Sequence, residues 1–380
     1  MKILICAMEY PTHSISSGIG LVTFNLVEQL EKKEVNCVVC SPVGPDIVLG
    51  STKLIQKTGI LGLLYFWACV SQYIKTEDYD IIWFHNPLPV FKISSKSLIC
   101  TFHSTYFGLT QQMQQVNIVR YIYFRIAALI ERMCLKNIPD ALFIGVSTQV
   151  CHELSATYPN KKEIIAILNG VSTEEFSPHC ICKQNIKKDL GIENNPVALF
   201  IGRLDQIKSV DLVIKSFEQV HKSIPSARLL IVGDGAEKSN LMNLSKKLNL
   251  ADSIIFCGAQ PHDVLPQYLY YSDVVICPWS GLVLFEAMAS GKSIIASDIE
   301  WHAEVISHMQ NGILVKYQNI PELANAVILL LTDPGLSETL GKNAREFAVN
   351  TLDWKIISYQ YLDIFLHLKD SGYLMSKFVK

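Results

Sequence analysis

The sequence has little net charge and few charged residues of either sign. Its 33 Lys and Arg stand against 35 Asp and Glu, a formal charge of −2, and charged residues fill only 18% of 380 positions. No whole-protein field exists to gather nucleic acid, so no nucleic-acid partner is expected, although a local basic site is allowed. The longest apolar run, Ile60–Val70, falls well short of the roughly 20 residues that span a bilayer. It reads as a buried helix, with an in-plane membrane contact as the alternative. Met1-Lys-Ile-Leu-Ile-Cys lacks the layout of a signal peptide, and the chain is already polar by Glu9–His13, which fits a cytoplasmic protein. Neither low-complexity tracts nor repeats of solenoid period are present.

Disulfide and metal signals are equally thin. The 11 cysteines are odd in number and scattered through apolar runs, so buried reduced thiols are expected. Cys37-x-x-Cys40 lies within the β-rich run Val35–Cys40 instead of opening a helix, so it reads as strand core. Cys180-x-Cys182 beside His179 has no second pair at zinc spacing and reads as a surface loop. Asp78-Tyr79-Asp80 precedes its strand and reads as a helix-to-strand turn, so no metal site is expected.

What the chain does have is apolar residues, 49% of it, in short β-branched runs that alternate with helix-period segments. Strands are expected at Lys2–Ala7, Val35–Cys40, Ile81–His85, Ser97–Phe102 and Ala141–Val146. The pattern restarts at Val197–Ile201, Arg228–Val232, Ile254–Cys257, Val274–Pro278, Ser293–Ser297 and Gly312–Val315. Such alternation predicts an α/β protein with parallel sheets covered on both faces. The polar, proline-bearing stretch Ser177–Pro196 separates two doubly wound domains, 1–180 and 181–350, and helices at Pro321–Leu331, Leu336–Val349 and Trp354–Lys369 end the chain. Ligands of open α/β sheets bind beyond the strand C-terminal ends, so the chemistry is sought in those loops.

Gly202-Arg203-Leu204-Asp205-Gln206-Ile207-Lys208 follows a buried strand and places two cations five residues apart before a helix. An arginine fork and a lysine point charge there fit an anion, phosphate above all, though a solvated loop uses the same residues. Ser280-Gly281-Leu282 precedes a helix whose N–H groups are expected to face a ligand. Glu286 sits in that otherwise apolar helix, where a carboxylate needs a hydroxyl-rich or cationic partner; a ribose diol or an arginine would serve. Ser17-Gly18-Ile19-Gly20 lies in a loop before a first helix at Leu21–Lys32. Thr23 stands where a dinucleotide loop needs glycine, which disfavours an NAD-dependent oxidoreductase. His103 ends a strand, as His85 ends another, and strand-end histidines are candidate functional groups. Arg120, Arg125, Arg132 and Lys136 interleave with Ile118, Val119, Tyr121, Ile122 and Ile130; a core helix with a solvated face is expected, a membrane-surface helix being the other reading.

With these loops in order, the chain resembles the retaining GT-B glycosyltransferases of family 4 (glycosyl transferases group 1). The second half carries Gly202-Arg203 with Lys208, Leu230-Ile231-Val232-Gly233-Asp234-Gly235, Phe256-Cys257-Gly258, Glu286-Ala287-Met288-Ala289-Ser290-Gly291, Glu304-Val305-Ile306, Asn311-Gly312 and Asn343-Ala344-Arg345. The first half carries Gly18-Ile19-Gly20, Thr101-x-His103, Val146-Ser147 and Asn169-Gly170-Val171. The resemblance implies two Rossmann-like domains facing a cleft, with residues 351–380 returning to pack on the first domain. It implies transfer of a sugar, with retention and without metal or cofactor, from a nucleotide-sugar to a glycan, lipid-linked or small-molecule acceptor. Arg203 and Lys208 would hold the diphosphate, Glu286 the ribose, and Gly18 and Gly20 would close on the phosphates. Gly202, Ser280, Gly281 and Leu282 complete the donor site, and His103 would lie near the transferred sugar. A cytoplasmic protein, peripheral at the membrane, is implied.

Three departures stand out. The family's first glutamate, eight positions before Glu286, is Pro278, and the stretch Pro278–Gly281 is about four residues short. Ser172 replaces the aspartate expected after Asn-Gly-Val, and Ile299-Glu300-Trp301-His302-Ala303 replaces a glycine-rich turn. The alternatives are a non-catalytic or partner-dependent homologue that binds nucleotide-sugar, or a sugar-nucleotide epimerase of the same fold.

Overall fold

The computed structural model describes residues 1–11, 18–74, 78–95, 97–113, 118–161, 163–179, 185–299 and 301–371. The chain forms two compact units, one of residues 1–169 with the segment from Trp354 onward, the other Gly170–Asp353. The crossing is therefore at Asn169–Gly170 and not within Ser177–Pro196: residues 170–179, read from the sequence as part of a first domain ending at 180, belong to the second unit. Physical reasons are visible inside that unit. Val171 N–H donates to the Leu352 carbonyl at 2.8 Å, Thr173 and Asp353 share a side-chain hydrogen bond, and Arg345 donates to the carbonyls of Thr173 and Phe176.

The first unit holds β1 (Lys2–Cys6), β2 (Asn36–Ser41), β3 (Ile47–Val48), β4 (Ile81–His85), β5 (Leu98–Phe102), β6 (Leu142–Gly145) and β7 (Ile164–Ala166). Their order is β3-β2-β1-β4-β5-β6-β7, and every pairing is parallel. The two short strands β3 and β7 escape the sequence pattern because neither has room for a full apolar run. β4 and β5 are buried along their whole length, as expected of strands covered on both faces. Cys37 and Cys40 lie in β2 with buried thiols, and burial pushes Cys37 up to about 12. The segment 180–184, with Cys180 and Cys182, lies outside the described residues.

The helix Trp354–Ser371 closes this unit. Tyr361 and Phe365 set their rings 4.7 and 5.3 Å from that of Trp83, whose indole N–H donates to Thr101 Oγ1. Lys369 pairs with Asp80, which also accepts Lys2 N–H, so the Asp78-Tyr79-Asp80 turn ties strand to helix. The helix Ile60–Tyr73 buries Phe66, Trp67 and Val70 but exposes Leu61 and Tyr65, so its apolar run is only half covered. The helix Ile118–Leu135 reverses the expected orientation. It buries Ala127, Glu131, Cys134 and Leu135, whereas Ile118, Ile122, Ile126, Leu129 and Met133 face outward.

The second unit holds β8 (Val197–Ile201), β9 (Arg228–Val232), β10 (Ile254–Gly258), β11 (Val274–Cys277), β12 (Ser293–Ser297) and β13 (Ile313–Val315). The order is β10-β9-β8-β11-β12-β13, again all parallel. Helix Val210–Ser223 covers one face through Val210, Val213, Ile214, Phe217 and Val220, spaced three and four apart. In both sheets the strand order reverses beside the first strand: at β1/β4 in one unit and at β8/β11 in the other. Those are the topological switch points at which open α/β sheets take ligands.

Candidate functional site

In the second unit the loops after β8 and β11 flank the switch point. The β8 loop is fastened to the β9 loop by bare backbone. Gly202 N–H donates to the Val232 carbonyl, Leu204 N–H to the Asp234 carbonyl and Glu237 N–H to the Leu204 carbonyl, all within 3.0 Å. Only glycine fits between: a Cβ on Gly235 would come within 2.3 Å of the Leu204 oxygen. From this fixed loop Arg203 projects with 77% of its side chain exposed, 3.2 Å from the Asp205 carboxylate. Asp205 also caps the turn Gln206–Lys208 by accepting Lys208 N–H. Lys208 is half-buried; burial pushes the Cys277 thiol up, an effect the Lys208 charge partly opposes, and burial pulls the His302 imidazole down, an effect the same charge reinforces.

The β11 loop runs Pro278–Leu282 into the short helix Val283–Ala289. Of the N–H groups expected to face a ligand here, that of Ser280 is engaged within the protein. Ser280 N–H donates to His302 Nε2 at 3.4 Å, and His302 Nδ1 lies 2.9 Å from the Ser297 carbonyl. The carbonyl can only accept, so Nδ1 carries the proton and Nε2 is the acceptor. Burial keeps this ring neutral, pulling it below the usual histidine range. The residue standing where the family has a glycine-rich turn is thus an internal brace between β12 and the β11 loop. Trp279 packs edge-on against Tyr317 at 5.5 Å, and Gly281 is exposed.

Glu286 is 4% exposed. Its Oε1 lies 2.9 Å from His262 Nε2, while its Oε2 is buried with no hydrogen-bond partner among the described residues. Its protein partner is therefore not an arginine but a histidine in the turn after β10, and the second oxygen is left for the ribose expected from the sequence. His262 Nδ1 lies 3.7 Å from Glu175 Oε1, and the Phe176 ring meets the imidazole edge-on at 5.3 Å. Burial is the largest influence on His262 and favours the neutral ring, but the bond to Glu286 and the charges of Glu286, Glu175 and Asp263 together outweigh it and raise the group above its ordinary value. Arg345 holds this corner, donating to the carbonyls of Thr173, Phe176 and Ala289 at 2.6–3.0 Å. A larger cavity, about 520 Å³, opens at the opposite end of the same sheet between Lys187, Asp273, Lys292 and Glu338, away from all these residues.

In the first unit, Gly18 and Gly20 lie in the first turn of the helix Gly18–Glu31, which begins ahead of the Leu21 read from the sequence and takes in glycines read as a loop; residues 12–17 lie outside the described residues. His103 follows β5, its N–H bonded to Asn86 Oδ1, and its Nε2 lies 2.9 Å from His85 Nδ1 with the two rings stacked. Burial pushes His103 down to about 4 and His85 well below its usual range, so near neutrality the pair shares a single proton in its mutual bond. His85 Nε2 is buried without a partner among the described residues. A small pocket of about 100 Å³ at the β1/β4 switch point is lined by His85, Asn86, Ser104, Trp67 and Glu131. Burial pushes the Glu131 carboxyl up to about 8, opposed by the Tyr106 N–H bond and reinforced by Glu153. Among the described residues, no group of three His, Cys, Asp or Glu side chains is gathered as a metal site.

The sequence pattern pointed to Gly202, Arg203, Lys208, Ser280, Gly281, Leu282 and Glu286, and the second unit carries all of them on the loops or helix that follow β8 and β11. It missed His262, His302 and Glu131. His262 does follow a strand that ends in glycine, which is the signal that could have found it.

Two family models match the chain: Glycosyltransferase Family 4 over residues 16–175 and Glycosyl transferases group 1 over residues 183–347. An uncharacterized glycosyltransferase of Methanocaldococcus jannaschii is 23% identical over 329 residues, 82% of this chain and 77% of that protein. N-acetyl-alpha-D-glucosaminyl L-malate synthase of Bacillus anthracis is 29% identical over 226 residues, 58% of each chain. Sucrose-phosphate synthase from Thermosynechococcus elongatus superposes with a TM-score of 0.77 at 22% identity, covering 97% of this chain and 98% of that one. The Anabaena protein HepE, in complex with UDP and glucose, superposes at 0.74 with 20% identity over 97% and 100%. With a Glycosyltransferase Family 4 domain followed by a Glycosyl transferases group 1 domain, on two parallel-sheet Rossmann-like units, the chain belongs to the glycosyltransferases of the GT-B fold.

Proposed function

We propose that the chain moves a sugar from a nucleoside-diphosphate donor to a carbohydrate or lipid-linked acceptor, with retention of configuration and without a metal ion. The observation that carries the reading is the presence, on the loop after β8 and the helix after β11, of an exposed cation, Arg203, and of a buried carboxylate oxygen, Glu286 Oε2, with no hydrogen-bond partner among the described residues. Arg203 and Lys208 suit the diphosphate, which gains negative charge as the glycosidic bond breaks; cations already in place stabilise that charge without reorganising. Glu286 Oε2 suits a ribose hydroxyl, because a buried carboxylate oxygen left unbonded is costly. His103, neutral at the end of β5, offers a hydrogen bond and no charge to the transferred sugar. The cations do the work a divalent metal would otherwise do, so chelator is expected to leave turnover intact. UDP and glucose are bound by a structural neighbour, which supports the donor class.

The test is turnover of the purified chain with UDP- and GDP-sugars, with the product anomer read by NMR. Transfer that continues in EDTA and falls in Arg203→Ala and Lys208→Ala supports the reading. Nucleotide binding without turnover would make the chain a non-catalytic homologue, and donor conversion without any acceptor would make it an epimerase.

The outward face of helix Ile118–Leu135 favours a bilayer surface as the place of work. Its exposed apolar stripe is flanked by exposed Arg120, Arg125, Arg132 and Lys136, and its only acidic residue, Glu131, is buried. Apolar insertion beside several cations suits anionic lipid. No helix among the described residues is long and apolar enough to cross a membrane. Binding to vesicles containing phosphatidylglycerol that weakens with salt and in Ile122→Asp/Ile126→Asp supports this; self-association lost in the same variant would make the face a contact between copies.

A further inference from the structure

We infer that His262 is a positioning residue for donor binding: it fixes the Glu286 carboxylate through Oε1 and compensates its charge, so that Oε2 is presented to a nucleotide hydroxyl. This rests on the donor reading above and adds a residue that the sequence pattern did not single out.

The geometry is specific. His262 Nε2 reaches Glu286 Oε1 at 2.9 Å, and the other carboxylate oxygen is buried with no partner among the described residues. A purely structural ion pair would be expected to satisfy both oxygens, since leaving one buried and unbonded works against folding. One oxygen held and one left over is instead the state of a group awaiting a ligand.

The ring has little freedom to turn away. Glu175 Oε1 faces Nδ1 at 3.7 Å and Phe176 closes one edge. The segment carrying both is tied by Arg345 to the carbonyls of Thr173 and Phe176, and to that of Ala289 at the end of the Glu286 helix. The charged groups facing the imidazole are Glu286 from its helix, Glu175 from the 173–176 segment and Asp263 from the ring's own turn. All three are acidic and favour the imidazolium.

A carboxylate beside a nucleoside diphosphate repels it, and an imidazolium on that carboxylate removes the penalty. As pH rises through the raised value of His262, the compensating charge is lost while Nε2–H still donates to Glu286. Donor affinity therefore weakens with alkaline pH, and the chemical step is affected less.

The experiment measures donor KM and kcat from pH 6 to 9, and UDP and GDP binding by calorimetry, in the unaltered protein, His262→Gln and His262→Ala. Glutamine keeps an N–H donor and does not titrate. The expected result is a donor KM that rises severalfold toward pH 9 at nearly constant kcat in the parent and is flat in His262→Gln. His262→Ala loses about tenfold or more in nucleotide affinity, the loss of one hydrogen bond to a charged group. In the parent, the His262 C–H proton resonance titrates above the ordinary histidine range, and in Glu286→Gln it titrates lower. A parent-like KM profile in His262→Gln, or unchanged nucleotide affinity in a folded His262→Ala, overturns the inference while leaving the donor reading intact. Absence of UDP and GDP binding in the parent overturns both.

Discussion

Gly233 lies so close to Gly202 that a Cβ on it would fall 1.9 Å from the Gly202 carbonyl oxygen. Its φ of 146° is also one that side-chain-bearing residues rarely adopt. The contact is what joins the β8 loop, with its cations, to the β9 loop. Gly233→Ala must push the two loops apart, at a cost of about 1–3 kcal/mol. The expected outcome is a lower urea midpoint for the second unit together with weakened nucleotide binding. A variant that melts normally and binds normally would show that the loops can separate freely.

Arg203 makes a different prediction, because it is anchored to the fold by little. An exposed ion pair with Asp205 contributes about 0–1 kcal/mol, so Arg203→Ala is expected to melt within a degree or two of the parent. Transfer, in contrast, should fall about 10²–10³-fold, the usual consequence of removing one fixed donor from a developing anion. Arg203→Lys should recover only part of this, since an ammonium cannot form the two parallel bonds that a guanidinium gives a phosphate. Paired melting curves and initial rates decide it.

The strand-end glycines and cations could be read from sequence because they depend on local rules: an apolar run stops, a glycine follows, and charges gather before a helix. Glu286 stood out for the same reason, as one carboxylate in an apolar helix. Its partner His262 did not, because the two are 24 positions apart and meet only when β10 and β11 are placed in one sheet. His302 read as a departure from the family because its role lies in two backbone groups, Ser280 N–H and the Ser297 carbonyl, that no side-chain pattern reports. The helix Ile118–Leu135 shows a further limit. Helical spacing identifies an apolar face but not whether that face turns inward, and here Ile118, Ile122 and Ile126 turn outward. The domain crossing was misplaced for a related reason: a proline-rich polar stretch is a good linker signal, yet Arg345 recruits residues 173–176 to the second unit.

His302 should be sensitive to substitution at a distance from any ligand. It is fully buried and satisfies two backbone groups at once. His302→Leu keeps the volume roughly and leaves a buried N–H and a carbonyl unbonded, a cost of about 1–3 kcal/mol for each group left bare. The β11 loop is then free to shift, so donor KM should rise together with the drop in melting temperature. A stable His302→Leu with unaltered donor KM would remove the brace from the account.

The first unit should have a stability optimum between its buried histidines and its buried acid. His103 titrates at about 4 in the folded chain and near 6.5 when unfolded. The unfolded state therefore takes the proton first, and stability is complete above pH 6.5 and lost as pH falls toward 4. His85, also lowered, acts in the same direction. Glu131 has the opposite sign, because its folded value of about 8 lies above the unfolded 4.5. Its contribution is complete below pH 4.5 and is lost as pH rises to 8, at up to about 1.4 kcal/mol per pH unit. Between pH 4.5 and 6.5 the acid and the histidines oppose each other; above 6.5 only the Glu131 loss remains of these. Glu131→Gln keeps an oxygen to accept Tyr106 N–H but cannot ionise. It should match the parent near pH 6 within about 1–2 kcal/mol and exceed it increasingly by pH 8, moving the optimum to the alkaline side. Hydrogen exchange of the β5 amides across pH 5–8 locates the effect in the first unit, and parallel pH curves for parent and variant would show that Glu131 ionises without cost in the folded chain.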